Sequence, residues 1–348
     1  MIKHPIYEKE LIDYCNKFKS LLALFNGKKV LITGASGLIG SYVADLLLQS
    51  NKLLGIDAKV YLVDRDQETL LQRFEEYNNL YAQDILEGTV RYPAEIDYII
   101  HCASNTSPLD YANKPIDTIR TNVEGTRILL DYAVESHAKK FIFCSSVEVY
   151  GKNNGDTEDF LESYSGYVDS NTLRADYPSA KRCAEALLNA YFKEYNQGFV
   201  IGRIGRIYGP TFLRNDQKAP TQFIRDGVNN RDIILKSEGL QEYSWGYVGD
   251  CATALLLLAV NGVSGEAYNI ADPKSKSKLI EFASICAKNC NRNVSICKLN
   301  KEEQKAYSTI TKATMNTDKI ISLGWKPQIH LEDGISRTIK ILKEIQNT

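Results

Sequence analysis

Residues 28–50 read KKVLITGASGLIGSYVADLLLQS, and this stretch decides how the rest of the chain is understood. Val30, Leu31 and Ile32 form a short unbroken apolar run, the pattern of a strand buried on both faces. Gly34, Gly37 and Gly40 follow at once, and from Leu38 the apolar residues recur with helical spacing. In a strand–turn–helix unit each glycine has a task. The first permits a tight turn, the second lets a pyrophosphate approach the backbone, and the third lets helix and strand pack closely. The start of the helix adds unpaired N–H groups and a favourable dipole for phosphate. Glycine triplets alone are common; here the flanking strand and helix select the nucleotide reading over that of a structural turn. Gly34, Ser36, Gly37, Leu38, Ile39 and Gly40 are therefore the first candidates for a dinucleotide site.

Working outward, AKVYLVDRD (58–66) is a second strand that ends in acid. A carboxylate at Asp64 can accept from the adenosine ribose hydroxyls and would repel a 2′-phosphate, so the expected cofactor is NAD rather than NADP. Arg65 follows directly and softens that preference. Asp84 and Ile85 fall where the adenine would lie, though a surface acid reads the same way. IDYIIHCAS (96–104) is a further strand. Its end, Cys102, Ala103 and Ser104, and Asn122 on the helix DTIRTNVEGTRILLDYAVESH (117–137), are expected to line the cofactor, with Ser104 also reaching substrate. KKFIFCSSVEVYG (139–151) reads as a strand with a turn, a long amphipathic helix begins at Tyr177, and FVIGRIGRIYGP (199–210) reads as one more strand. Strands alternating with helices imply a parallel sheet covered on both faces. The expected fold class is α/β: a Rossmann-type doubly wound parallel sheet with a smaller C-terminal substrate-binding α/β part. The expected division is an N-terminal helical extension (1–27), an NAD-binding part (28–205), and a mainly substrate-binding part (206–348) whose segment around 245–260 returns to the first. Leu11, Tyr14, Phe18, Leu21, Leu22 and Phe25 give the extension an apolar face, for packing on the body or for a partner.

Composition narrows the class. Lys and Arg total 42 against 43 Asp and Glu, so the net charge of −1 offers no surface for nucleic acid. The longest apolar run, Ala254–Val260, is far short of the ~20 residues a bilayer span needs, and the first twenty residues carry no apolar signal core. A cytoplasmic protein without membrane attachment is expected. The eight cysteines lack paired C-x-x-C spacing, and Cys286 and Cys290 have no second pair or nearby histidine, so no metal site is expected.

Tyr177 and Lys181, in YPSAK, share a helix face at i, i+4. An ammonium beside a phenol favours the phenolate, and such a tyrosine can take a proton from a sugar hydroxyl while a nicotinamide takes the hydride from the same carbon. Ser146, at a strand end, is placed to hydrogen-bond that hydroxyl.

GASGLIG, SSVEVYG and YPSAK together resemble the extended short-chain dehydrogenases, the NAD-dependent nucleotide-sugar epimerases and dehydratases. The resemblance runs from residue 28 to about 340 and includes YVGD (247–250), GEAYNIAD (265–272) and LGWKP (323–327). HCASNTSPLDYANKPIDTIRTNVEGT (101–126), the glutamate of SSVEVYG, and LRADYPSAKR (173–182), with arginine three before the tyrosine, look most like UDP-glucuronate decarboxylases. The resemblance implies proton abstraction by Tyr177, activation of that tyrosine and ribose binding by Lys181, hydrogen bonding by Ser146, and a second acid/base group in Glu148. It also implies a nucleotide-sugar substrate, a UDP-sugar first, and a homodimer formed through helices 117–136 and 177–195. A 4-epimerase has no need of the extra base. A 4,6-dehydratase does, but Val147 stands where glucose-type dehydratases carry an acid. The order of readings is thus decarboxylation, then 4,6-dehydration, then 4-epimerisation. A non-catalytic NAD-binding scaffold is the rival of another class, and retention of Ser146, Tyr177 and Lys181 counts against it.

Two positions depart from the decarboxylase pattern. Tyr243, in YSWGYVGD, replaces an arginine, and Arg206, in IGRIYGP, replaces an asparagine. A guanidinium is a strong bidentate partner for phosphate or carboxylate. Arg206 is expected to restore the missing charge from the other side of the cleft.

Overall fold

The computed structural model describes residues 4–75, 77–87, 92–105, 113–297 and 311–346. Positions 106–112 of the stretch 101–126 lie outside the described residues. Seven strands form one parallel sheet: β1 (Lys29–Thr33), β2 (Lys59–Asp64), β3 (Leu80–Ala82), β4 (Tyr98–His101), β5 (Lys140–Ser146), β6 (Phe199–Ile204) and β10 (Glu266–Ile270). Their order is β10-β6-β5-β4-β1-β2-β3, so the chain reverses direction across the sheet between β1 and β4. In a doubly wound sheet the ligand crevice opens at that reversal, at the carboxyl ends of the strands.

Alternating residues of the strands face two helical layers. Val30, Ile32, Val60, Leu62, Ile100 and Ile142 belong to one core, with α1 (Pro5–Lys17), α2 (Lys19–Ala23), α3 (Leu38–Leu54) and the helix Val248–Asn261. Leu31, Val63, Ile99, Phe141, Phe143 and Ile201 belong to the other, with Leu129, Leu130, Ala133, Ala184 and Leu188. Those five residues come from α5 (Pro115–Glu135) and α6 (Asp176–Tyr195), which pack on each other; the short α4 (Gln67–Phe74) joins β2 to β3.

FVIGRIGRIYGP is two strands rather than one. β6 ends at Ile204, and β7 (Arg206–Tyr208) pairs in parallel with β9 (Glu242–Tyr247) in a separate small sheet. Gly205 is the crossing point. A Cβ there would sit 2.8 Å from the Ser244 carbonyl oxygen, so the two sheets meet too closely for any side chain. The second part of the chain carries α7 (Ala219–Val228), β8 (Ile233–Leu235), α8 (Val248–Asn261), β11 (Lys276–Lys278), α9 (Leu279–Cys290), β12 (Val294–Ile296), β13 (Lys312–Ala313), α10 (Asp318–Ser322) and α11 (Leu331–Gln346). Within it, α8 packs against α3 and beneath β5 and β6, and β10 extends the large sheet beyond β6.

The N-terminal segment is built into this body. Tyr7, Leu11, Tyr14 and Cys15 of α1 are buried against α3. Glu10, 1% exposed, accepts from Tyr42 Oη at 2.8 Å and Tyr247 Oη at 2.9 Å, with Arg337 Nη1 at 3.4 Å. Tyr14 Oη donates to Asp250 Oδ1 at 2.9 Å. Burial raises the Glu10 carboxyl above its ordinary range, and these donors and Arg337 oppose it. Cys286 and Cys290 are buried in the apolar core of α9. No helix among the described residues is long and apolar enough to cross a membrane.

Candidate active site

The glycine turn has the shape of a dinucleotide cradle. Gly34 holds φ +65°, and a Cβ on it would lie 2.7 Å from the Ala103 nitrogen. On Gly40 a Cβ would lie 2.3 Å from the Gly34 carbonyl oxygen, so these two glycines serve the close packing of turn, strand and helix. Gly37 differs. Its Cβ would meet only the Gly34 oxygen, at 3.3 Å, leaving its other side open to a ligand. Gly37 is also the N-cap of α3, so Leu38 and Ile39 stand in the first turn, where backbone N–H groups lack helical partners. The residues present fit a bound pyrophosphate.

Around this turn the expected cofactor residues gather. Asp64 Oδ2 accepts from Ser36 N at 3.0 Å and Ser36 Oγ at 2.6 Å, which ties the end of β2 to the turn. Arg65 Nη2 donates to Asn105 Oδ1 at 3.1 Å. Ala103 N donates to Thr33 Oγ1 at 3.3 Å, and Ser104 Oγ donates to Asn122 Oδ1 at 2.9 Å. Cys102 Sγ lies 3.3 Å from Cys144 Sγ, on the neighbouring strand end. Asp84 and Ile85 follow β3. Asp84 Oδ1 accepts from Leu86 N at 2.9 Å, capping its own turn, and the Ile85 side chain is buried against Gly125 of α5.

Ser146 ends β5, and the chain then turns. Val147–Tyr150 is a single 3-10 turn rather than a continued strand, so Ser146 and Glu148 do not share a face by strand alternation. The reason is local. Ser146 Oγ accepts from Glu148 N at 3.2 Å, a side-chain cap that competes with extension of the strand. The turn nevertheless brings Glu148 between Arg174 and Arg206. Its side chain is 5% exposed, and Arg174 Nη2 donates to both of its oxygens, at 2.8 and 3.1 Å. Arg206 Nη2 lies 3.4 Å from Oε1 on the other side. The Arg206 guanidinium also rests over the Tyr243 ring, 4.9 Å from its centroid. Arg206 and Tyr243 thus meet, as partners in a stack beside Glu148. Arg174, the arginine three before Tyr177, lies in the short turn ahead of α6, and its pairing with Glu148 is the part that spacing did not disclose.

Tyr177 opens α6 and Lys181 follows one turn later, both buried. The Tyr177 hydroxyl hydrogen-bonds Ser146. Burial raises the phenol well above its usual range, and the nearby Glu148 carboxylate adds to the rise; the Ser146 hydrogen bond, Arg206 and Arg174 lower it. Spacing led to the expectation of a phenol pulled down by Lys181, and the free protein differs. Lys181 Nζ donates to the Cys144 carbonyl at 2.8 Å and lies under the Phe143 ring at 4.6 Å, 5.9 Å from the Tyr177 ring centroid. Its own burial lowers the ammonium to about 8.

Fold and site define an α/β dinucleotide-binding protein of the Tyr-x-x-x-Lys kind, with a carboxylate and two guanidiniums beside the tyrosine. The model of the NAD dependent epimerase/dehydratase family matches residues 30–271, and the chain belongs to that family; its cofactor is NAD. UDP-glucuronic acid decarboxylase 1 of Xenopus tropicalis is 29% identical over 323 residues, covering 91% of this chain and 72% of the relative. UDP-glucuronic acid decarboxylase 5 of Arabidopsis thaliana is 29% identical over 315 residues, covering 88% and 87%. Among solved structures, a UDP-glucose 4-epimerase from Thermotoga maritima superposes with a TM-score of 0.78 at 22% identity, covering 91% of this chain and 99% of the other. A dTDP-glucose 4,6-dehydratase from Streptomyces venezuelae, with NAD bound, superposes at 0.79 and 23% identity, covering 92% and 98%. These likenesses establish the fold.

Proposed function

We propose that the chain converts a UDP-linked uronic acid to a pentose sugar nucleotide by oxidation at C4 and loss of the C6 carboxylate as CO2. The observation that carries this reading is Glu148, a buried carboxylate held beside Ser146 and Tyr177 between Arg174 and Arg206. A base there is useful only if chemistry continues past a C4 ketone. The likeness to UDP-glucuronic acid decarboxylases supports the same reading.

Each residue then has a task. Gly34, Ser36, Gly37, Leu38, Ile39 and Gly40 hold the cofactor pyrophosphate, and Asp64 and Arg65 meet its adenosine ribose. Asp84, Ile85, Cys102, Ala103, Ser104 and Asn122 line the rest of its path, and Ser104 faces the sugar as well. NAD, when bound, accepts a hydride from C4 and can return it. Ser146 hydrogen-bonds the C4 hydroxyl, and Tyr177 takes the proton from that oxygen. Lys181 supplies positive charge beneath the tyrosine. Arg206, braced by Tyr243, faces the sugar carboxylate or the diphosphate. With oxygen doubly bound at C4, the C6 carboxylate belongs to a β-keto acid. The C5–C6 bond breaks, its electrons pass to C5 and the C4 oxygen, and CO2 departs. C5 then receives a proton that comes from solvent water and is relayed through the Glu148 carboxyl group.

Two further properties belong to this proposal. The chain works as a homodimer through α5 and α6, in a reducing cytoplasmic setting that suits its eight unpaired cysteines. Residues 28–205 bind NAD and 206–348 mainly bind the sugar nucleotide, with residues 1–27 as a helical extension and the segment around 245–260 returning to the first part.

Glu148→Gln keeps the shape and removes the basic form. On UDP-glucuronate, turnover is expected to fall by ~10²-fold or more, the usual worth of a positioned acid/base group. Absorbance of NADH from C4 oxidation should persist. Undiminished turnover would remove Glu148 from the reaction and favour simple epimerisation.

A further inference from the structure

We infer that Arg174 is a positioning residue, which holds the Glu148 side chain in one orientation beside Tyr177 for its part in the reaction. This inference rests on the reaction proposed above. Arg174 lies in the short turn Leu173–Ala175 just before α6, and Glu148 lies in the turn after β5. One guanidinium nitrogen bonds both carboxylate oxygens, so the side chain of Glu148 is held against rotation. Both groups are shielded, with side-chain exposures of 21% for Arg174 and 5% for Glu148. In such surroundings an ion pair is screened far less than at a surface, and loss of one partner strands the other charge.

The groups facing Glu148 come from four elements. Arg174 approaches from the turn before α6 and Arg206 from β7. Tyr177 and Asp176 approach from α6, and Ser146 from the end of β5. Asp176 is the informative neighbour. Its Oδ1 accepts from Tyr177 N at 2.6 Å, while its buried Oδ2 has no hydrogen-bond partner among the described residues. Burial raises the Asp176 carboxyl, the Tyr177 backbone N–H and Arg174 oppose the rise, and Glu148 adds to it. Arg174 therefore stands between two carboxyl groups and bonds both oxygens of Glu148. It joins Glu148 to the turn that leads into the helix carrying Tyr177, so the groups acting at C4 and at C5 are set in one frame.

The test compares wild type, Arg174→Met and Arg174→Lys, each loaded with NAD, by kcat and KM for CO2 release from UDP-glucuronate. For Arg174→Met, kcat should fall ~10-fold or more with KM within about threefold, a loss that belongs to positioning rather than to binding. Arg174→Lys should restore part of kcat, because an ammonium returns the charge without the fixed plane of the guanidinium. Unaltered thermal stabilisation by NAD shows that each variant is folded; if Arg174→Met is not, kcat of Arg174→Lys decides alone. A wild-type kcat in every folded variant would overturn the role of Arg174 while leaving the reaction intact. No CO2 from wild type at any pH would overturn the reaction, and this inference with it.

Discussion

Burial sets the starting state of Tyr177. The phenol is 6% exposed, and the cost of desolvating its anion outweighs the help it receives from Ser146, Arg206 and Arg174. Lys181, one turn on, is engaged by the Cys144 carbonyl. Tyr177→Phe keeps the ring and removes the oxygen. Turnover of UDP-glucuronate should fall by at least ~10²-fold, with affinity for the sugar nucleotide changed by less than threefold. Steady-state rates and calorimetric titration check this; a near-normal rate would move proton abstraction to another group. The positions of Gly34, Gly40, Tyr177 and Lys181 were legible in the sequence because each depends on spacing within one strand, turn or helix. The pairing of Arg174 with Glu148 was not. It joins residues 26 apart through a 3-10 turn that the segment VEVY, alternating like a strand, does not announce.

At the scale of elements, the same limit appears at Gly205. FVIGRIGRIYGP alternates like one strand, and nothing within it marks a change of sheet. The break is forced from outside, by the Ser244 carbonyl that fills the space where a side chain would stand. Its effect on the site is large, because Arg206 is the first residue beyond the crossing. The helices were easier to read, and two of them carry more apolar surface than one sheet face can cover. α5 and α6 bury Leu129, Leu130, Ala184 and Leu188 inward, while Ile116, Ile119, Phe192 and Tyr195 are exposed. Exposed apolar groups on a packed helix pair favour association with a second copy. Sedimentation at micromolar concentration should give a dimer, and Ile119→Lys should shift it toward monomer. A wild-type monomer under those conditions would refute the assembly.

Across the whole molecule, strand–helix alternation disclosed the doubly wound sheet, and the glycine turn lies at the carboxyl end of β1, where the crevice of such a sheet opens. The depth at which α1 is set did not show. Its apolar spacing marks an amphipathic helix, but Glu10 reads as a solvent-facing acid until Tyr247 and Arg337 close over it from 237 and 327 residues away. Contacts of that range follow from the assembled body and leave no local trace. The same body brings β5, α6 and β7 to one cleft, where Ser146, Glu148, Tyr177 and Arg206 converge. The central claim is that this cleft takes a sugar past its C4 ketone. The most direct measurement is the product mass after incubating the NAD-loaded protein with UDP-glucuronate, UDP-glucose and UDP-galactose. The expected result is a product from UDP-glucuronate lighter by the mass of CO2, with no change of mass from the two neutral sugars. Loss of water from a neutral sugar, or an isomer of UDP-glucuronate with its carboxylate retained, would contradict it.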